Sequence, residues 1–261
     1  MKKTVALICS VAIAAQWSVV SAQTTKMKIW KGGDVTKIFR TADIDSVTFI
    51  TDDYCAEEDI HIIDGHKFVD LGLPSGLLWA TTNIGAATAA DEGDYYAWGE
   101  TEPKQYFDWD TYEHCNSASS LTKYNASDGL TTLEKDDDAA SVLWGSSCRM
   151  PTVAEMGELL DPRNCTWAWV RRITSSGLPI EGHRVTSKQN GNSIFIPASG
   201  CYYYGDAYYS SSFGLYWSST LYTDDSDGTI YAYYLNFDST VHYQDYFARC
   251  FGRTIRPVAM P

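Results

Sequence analysis

From Gln189 to the C-terminus the chain reads only as strands and turns. β-prone runs recur at Ser193 to Pro197, Tyr216 to Ser219, Ile230 to Phe237 and Thr254 to Val258, with Gly, Ser and Asp clusters between them. Between His61 and Lys188 turn signals are also frequent, and only two segments read as helices. One is Asp136 to Leu143, where Asp137 or Asp138 can cap the first turn ahead of Ala139, Val142, Leu143 and Trp144. The other starts at Thr152, which forms the spacing of a capping box with Glu155, and runs Val153 to Leu160 until Asp161-Pro162 stops it. Two short helices need a sheet to pack on. The prediction is therefore an α+β domain with a mainly antiparallel β, loop-rich C-terminal half.

The N-terminus has a different character. Lys2 and Lys3 precede an apolar run from Val5 to Ala15 and a small-residue site at Val20, Ser21 and Ala22, the pattern of a secretory signal peptide spanning residues 1–22. That run is too short to cross a bilayer, and no later stretch approaches 18 uninterrupted apolar residues, so no transmembrane segment is expected in the mature chain. Cys9 is too early and wrongly flanked to carry a lipid. The expected location is outside the cytoplasm: periplasm, cell surface or medium. Residues 23–52 hold two β-prone runs around Gly32-Gly33 and the alternating Ile44, Ser46, Val47, Phe49 segment, a small β-hairpin unit. The acidic stretch 53–60 reads as a linker into a domain at 61–261.

The formal charge of -13 becomes about -15 after cleavage, which removes any basic footprint for nucleic acid and counts against anionic membranes. Six cysteines follow the signal: Cys55, Cys115, Cys148, Cys165, Cys201 and Cys250. Export permits bridges among them, with 15 full pairings open. There is no CxxC to suggest a redox or zinc site.

Chemistry-bearing motifs are sparse. The histidines at 61, 66, 114, 183 and 242 have no i, i+4 pair, and the chain lacks a Gly-x-Ser-x-Gly elbow, a P-loop and a GxGxxG. Cys148 or Cys201 with a distant histidine could form a nucleophile pair, a combination that any protein of this composition offers, set against the far commoner role of a buried or bridged cysteine. Asp224, Asp225 and Asp227 crowd one turn and could hold Ca²⁺, although the EF-hand pattern fails for want of a glutamate at its twelfth position. No cofactor is expected beyond that calcium reading.

Composition points instead to recognition. All 11 lysines and 10 glutamates lie in the first 188 residues; the same density would put about eight in the last 73, where there are none. Twelve of the 18 tyrosines follow Gly200. Tyrosine offers large amphipathic contact area at low entropy cost, and Ser, Gly and Asp add adaptable hydrogen bonding, the mixture of antibody paratopes. In TIYAYYLNF, Tyr231, Tyr233, Leu235 and Phe237 share one face, assigned to the core, which directs Ala232, Tyr234, Asn236 and Asp238 the other way. The predicted ligand contacts are Tyr202, Tyr204, Asp206, Tyr208, Tyr222, Asp224, Tyr234, Asp238, His242, Tyr243, Asp245, Tyr246 and Phe247.

An ordered set of motifs supports a family resemblance. They are HKFVDLGLPSGLLWATTNIGA (His66 to Ala86), GDYYAWGET (Gly93 to Thr101), DDAASVLWG (Asp137 to Gly145), RMPTVAEMGELL (Arg149 to Leu160), GNSIFIPASG (Gly191 to Gly200), YWSST (Tyr216 to Thr220) and RTIRPV (Arg253 to Val258). Together they resemble the Fibrobacter succinogenes major paralogous domain family of exported Bacteroidetes proteins. That resemblance implies a C-type-lectin-like domain displaying a ligand surface near its C-terminal strands. Within the motifs, Gly72, Gly76 and Gly93 read as turns and Trp79, Trp98 and Trp144 as apolar anchors. Some lectin-like domains are diversified by retroelements that rewrite asparagine codons, and the run His242 to Arg253 fits such rewriting apart from Gln244.

The expected function is a surface-displayed protein binding a protein or glycan ligand. Two other readings stand beside it: an enzyme or enzyme accessory on the fold that formylglycine-generating enzymes share, and a structural component of a surface assembly that docks through residues 23–52.

Overall fold

The computed structural model describes residues 3–9, 26–31, 34–40, 44–51, 60–224 and 228–261. It divides into two units, Met1–Tyr54 and Cys55–Pro261. In the first, β2 (Lys26–Lys31) and β3 (Asp34–Arg40) form the antiparallel pair expected around Gly32-Gly33. Strand β4 (Ile44–Thr51) pairs in parallel with β1 (Lys3–Cys9), a segment inside the predicted signal peptide. Apart from Ile60, the predicted linker lies outside the described residues.

The second unit begins with β5 (Ile60–Ile63), β6 (His66–Asp70) and β7 (Leu78–Ala80). A long irregular stretch follows, interrupted by the small ladder of β8 (Cys115–Ser117) and β9 (Ser120–Leu121). Then come α1 (Ala139–Trp144), β10 (Cys148–Arg149) and α2 (Val153–Leu160). The C-terminal half is built from β11 (Cys165–Ile173), β12 (Pro179–Ser187) and β13 (Ser193–Pro197), from the hairpin β14 (Cys201–Tyr203) and β15 (Asp206–Tyr208), and from β16 (Gly214–Leu221), β17 (Tyr231–Phe237) and β18 (His242–Ala248). The last strand, β19 (Val258–Ala259), returns between β7 and β10 and pairs Val258 with Trp79. The unit is α+β, mostly antiparallel, with two helices.

Both helices obey their local signals. Asp138 caps α1, accepting from the Ala140 and Ser141 amides at 2.9 and 3.1 Å, and also from the Met150 amide at 2.8 Å. One carboxylate thus closes the helix and ties it to the strand leading out. The expected start at Asp136 is instead a short 3₁₀ turn, Lys135–Asp137, because the cap residue falls after it. Thr152 and Glu155 form the predicted capping box, and Arg149 fastens Glu155 at 2.6 Å.

Two buried clusters flank the β16–β17 pair. Trp98, Trp217, Tyr96 and Tyr234 belong to one, with Trp144 of α1. Trp79, Leu159, Val185, Tyr216 and Phe237 belong to the other, which joins α2 to β12. Each large side chain buried this way contributes about 1.5–3 kcal/mol of transfer free energy. Gly93 lies at φ +78 with the Ile84 carbonyl 2.3 Å from where a Cβ would sit, so this turn excludes any side chain. Cys115, Cys148, Cys165, Cys201 and Cys250 are all free thiols, so the bridges that export permits are not found among these described cysteines.

Candidate functional site

The C-terminal sheet β16-β17-β18 sets the site by its register. Leu215 and Trp217 of β16 pair with Asn236 and Tyr234 of β17, which in turn pair with Tyr243 and Asp245 of β18. Directly paired residues share a face, so these six side chains, with Phe247, line one side of the sheet. The other side carries Tyr216, Leu235 and Phe237 into the second core cluster.

This corrects the expected division of β17. Leu235 and Phe237 are core residues as predicted, but Ala232, Tyr234 and Asn236 are not an outward face: Tyr234 is 5% exposed and Asn236 7%. The β14–β15 hairpin and the segment through Phe251 and Arg253 cover them. Tyr231 and Tyr233, assigned to the core, are only partly buried near the strand's start. Parity separates two faces but does not say whether a second layer covers one of them.

Between the sheet and its cover lies a cavity of about 500 Å³. Cys201 and Tyr203 of β14 and Tyr208 of β15 line one wall, with Tyr209 and Phe213 of the following loop. Leu215, Tyr234, Asn236 and Phe247 supply the sheet wall, and Phe251 and Arg253 close the base. Its size and apolar lining with a few polar groups suit a small ligand or an inserted side chain.

The β14–β15 turn and the loop after β15, which flank the lining residues Tyr203, Tyr208 and Tyr209 as a rim, are built on backbone that L residues rarely adopt. Tyr204, Tyr209 and Ser211 have φ of 50, 65 and 60°, three of the five non-glycine residues with positive φ among those described. Such residues cost about 1–3 kcal/mol each and gather at functional sites. Tyr204 and Tyr209 are more than half exposed.

Arg253 is the dominant charge. It is 2% exposed, and its guanidinium lies 3.6 Å from the centre of the Tyr234 ring, with Trp217 at 4.6 Å and Phe247 at 5.6 Å. Burial pulls its pKa below the ordinary arginine value, opposed by nearby Tyr234. Nε and Nη1 are buried without a hydrogen-bond partner, and so is Oδ1 of Asn236, whose Nδ2 donates to the Tyr243 hydroxyl at 2.9 Å.

The thirteen predicted contacts fall into separate groups. Tyr208, Tyr234 and Phe247 line the cavity. Tyr243 and Asp245 share its sheet face, Asp245 accepting from the Tyr234 hydroxyl at 3.0 Å. On the covering hairpin, Tyr202 turns toward Tyr95 (4.6 Å between ring centroids), Tyr204 packs on Tyr203, and Asp206 is exposed. The others are elsewhere. Tyr222 is buried and stacks on Tyr246 at 3.7 Å, Asp224 accepts from Tyr233 at 2.6 Å, and His242 stacks on Trp167 at 4.6 Å. Asp238 caps its own turn through the Thr240 and Val241 amides, which hold its carboxyl below the usual range. Sequence reasoning missed Tyr203, Tyr209, Phe213, Phe251 and Arg253. The alternation of Cys201 and Tyr203 was the available signal for the first; Arg253 had only its place in the RTIRPV motif.

The cavity offers aromatic surface around one buried cation. Burial raises the thiol pKa of Cys201 against the pull of Arg253, and pushes Cys148 up to about 11, so both are thiols at neutral pH. The cavity lining includes no histidine. Among the described residues no three His, Cys, Asp or Glu side chains converge on a metal position, while Asp225 and Asp227 of the calcium reading lie outside those residues. No helix of the described residues is long and apolar enough to cross a membrane. No protein-family model, curated protein or solved structure matches this chain.

Proposed function

We propose that this is an exported, surface-displayed binding protein of the Fibrobacter succinogenes major paralogous domain type, in which a C-type-lectin-like domain holds a protein or glycan ligand through its C-terminal half. The observation that carries this reading is the aromatic cavity under a strained, tyrosine-bearing rim. Its wall contains buried donors and an acceptor that the protein itself leaves unpaired. Such groups cost about 1–3 kcal/mol each when unpaired, which a ligand that pairs them relieves. The absence of lysine and glutamate after Lys188 supports the same reading, since contact surfaces avoid both.

A glycan and protein array probed with the full chain tests the proposal. Ligands captured by the wild type should be lost, by about tenfold or more in affinity, when Tyr208, Tyr243 and Phe247 are changed together to alanine. All three are at least 40% exposed, so the triple variant should fold. Retention of every captured ligand by that variant would remove the cavity and its rim from the binding surface.

A further inference from the structure

We infer that the group entering the cavity is a carboxylate on an apolar body, the chemistry of a peptide chain ending in a large apolar residue; this rests on the binding role proposed above. The argument begins with charge. Arg253 is a cation held out of water, and no hydrogen bond or ion pair accounts for its Nε and Nη1. The rings of Tyr234, Trp217 and Phe247 stabilise its charge from their faces. A ring face does not accept the in-plane N–H groups as an oxygen would, so the guanidinium edge keeps unused donors.

Anion type follows from number. One guanidinium, its charge already partly answered by the Asp245 carboxylate bonded to Tyr234, matches at most one further negative charge, and the chain as a whole carries -13. A doubly charged phosphate or sulfate would bring a second charge with no partner into a low-dielectric site. A carboxylate brings one, in the planar form that guanidinium groups recognise best.

The body of the ligand follows from the rest of the lining. Tyr203, Phe213, Leu215, Phe247 and Phe251 offer apolar surface, and Oδ1 of Asn236 is the one buried acceptor left without a donor among the described lining residues. An amide N–H adjoining the carboxylate could meet that oxygen. A uronic acid, the other common source of a carboxylate, would bring several hydroxyls into a cavity with few polar atoms to receive them.

Calorimetric titration of the full chain with three probes tests this: N-acetyl-phenylalanine, its uncharged amide, and glucuronic acid. The expected result is that the free acid binds at least tenfold more tightly than the amide, as loss of a charge-assisted hydrogen bond requires, and more tightly than glucuronic acid. Arg253→Gln should abolish the preference for the acid. Because Arg253 is buried and its replacement threatens folding, the wild type labelled with ¹⁵N-arginine supplies a second reading. The Arg253 Nε–H resonance should shift on adding the acid and stay fixed with the amide. Equal binding of acid and amide, tighter binding of glucuronic acid, or no binding of either phenylalanine probe overturns the carboxylate inference. If that happens while array ligands are still lost in the triple alanine variant, the cavity remains the binding site and only its proposed ligand chemistry fails.

Discussion

Replacing Arg256 with methionine is expected to cost the fold about 3–5 kcal/mol, a large share of the stability of an ordinary domain. Arg256 is 1% exposed, and its guanidinium donates in three directions: to Oδ1 of Asn83 at 2.8 Å, the Ala80 carbonyl at 3.0 Å and the Phe195 carbonyl at 3.0 Å. These acceptors come from the loop after β7 and from β7 and β13 themselves, so one side chain joins the sheet of β5, β6 and β7 to that of β11, β12 and β13. Burial lowers its pKa to about 10, with Tyr216 opposing the shift, and it stays charged at neutral pH. Methionine fills similar volume yet leaves three buried oxygens without donors. Lysine should rescue little, since a single ammonium cannot span that fork. Urea unfolding of the wild type, Arg256→Met and Arg256→Lys measures the loss; a cost within about 1 kcal/mol for methionine would show that the three bonds contribute no more than their solvated counterparts.

Gly200→Ala should be nearly as damaging, and it should act on the site. Gly200 has φ +66, and a Cβ there would lie 2.1 Å from the Tyr208 carbonyl oxygen and 2.6 Å from the Ser210 nitrogen. The left-handed backbone alone costs an L residue about 1–2 kcal/mol, and the clash is with backbone that no rotamer change can move. The expected total is about 3 kcal/mol or more. Relief requires the β14–β15 hairpin to shift, and that hairpin carries Cys201, Tyr203 and Tyr208 of the cavity wall. Any Gly200→Ala protein that still folds should therefore bind its ligand more weakly than the wild type. Full stability with unchanged binding would mean that this close approach is not part of the folded protein.

What was legible in the sequence was local. The Thr152 capping box, the Asp138 cap and the Ser193 to Pro197 strand depend on residues within a few positions of one another, and each appears where those residues place it. The long β11–β12 hairpin was not read, although Trp167 and Trp169 alternate along β11 and Gly177 marks its turn. Ala168 and Val170 on the opposite face, and Arg171 in line with the tryptophans, blur that alternation. The cavity lay further out of reach. Arg253 meets Tyr234 across 19 positions of chain, and Tyr203 joins them in the cavity lining only once the β14–β15 hairpin is in place. The tyrosine-rich composition lies in the half of the chain that lines the cavity, but composition cannot separate a rim tyrosine such as Tyr208 from a packed one such as Tyr222.

The same distinction bears on codon rewriting in the run from His242 to Arg253. Arg249, Cys250, Gly252 and Arg253 are buried, and a Cβ at Gly252 would lie 2.6 Å from the Phe107 ring. Arg249 donates to the Tyr124 carbonyl at 3.2 Å and lies over the Trp98 and Tyr112 rings. Variation is tolerable at the exposed Tyr243, Tyr246 and Phe247, whereas the end of the run is held by packing. A diversified surface on this chain would thus be confined to β18 and the loops of the rim.

The most direct measurement of the central claim is hydrogen–deuterium exchange on the full chain with and without a ligand captured on the array. Binding in the cavity predicts slower exchange in segments 200–213 and 231–247, with β5, β11 and the Lys26–Arg40 pair unchanged. Protection confined to β11 and β12, or to residues 26–51, would place the ligand elsewhere and contradict the account.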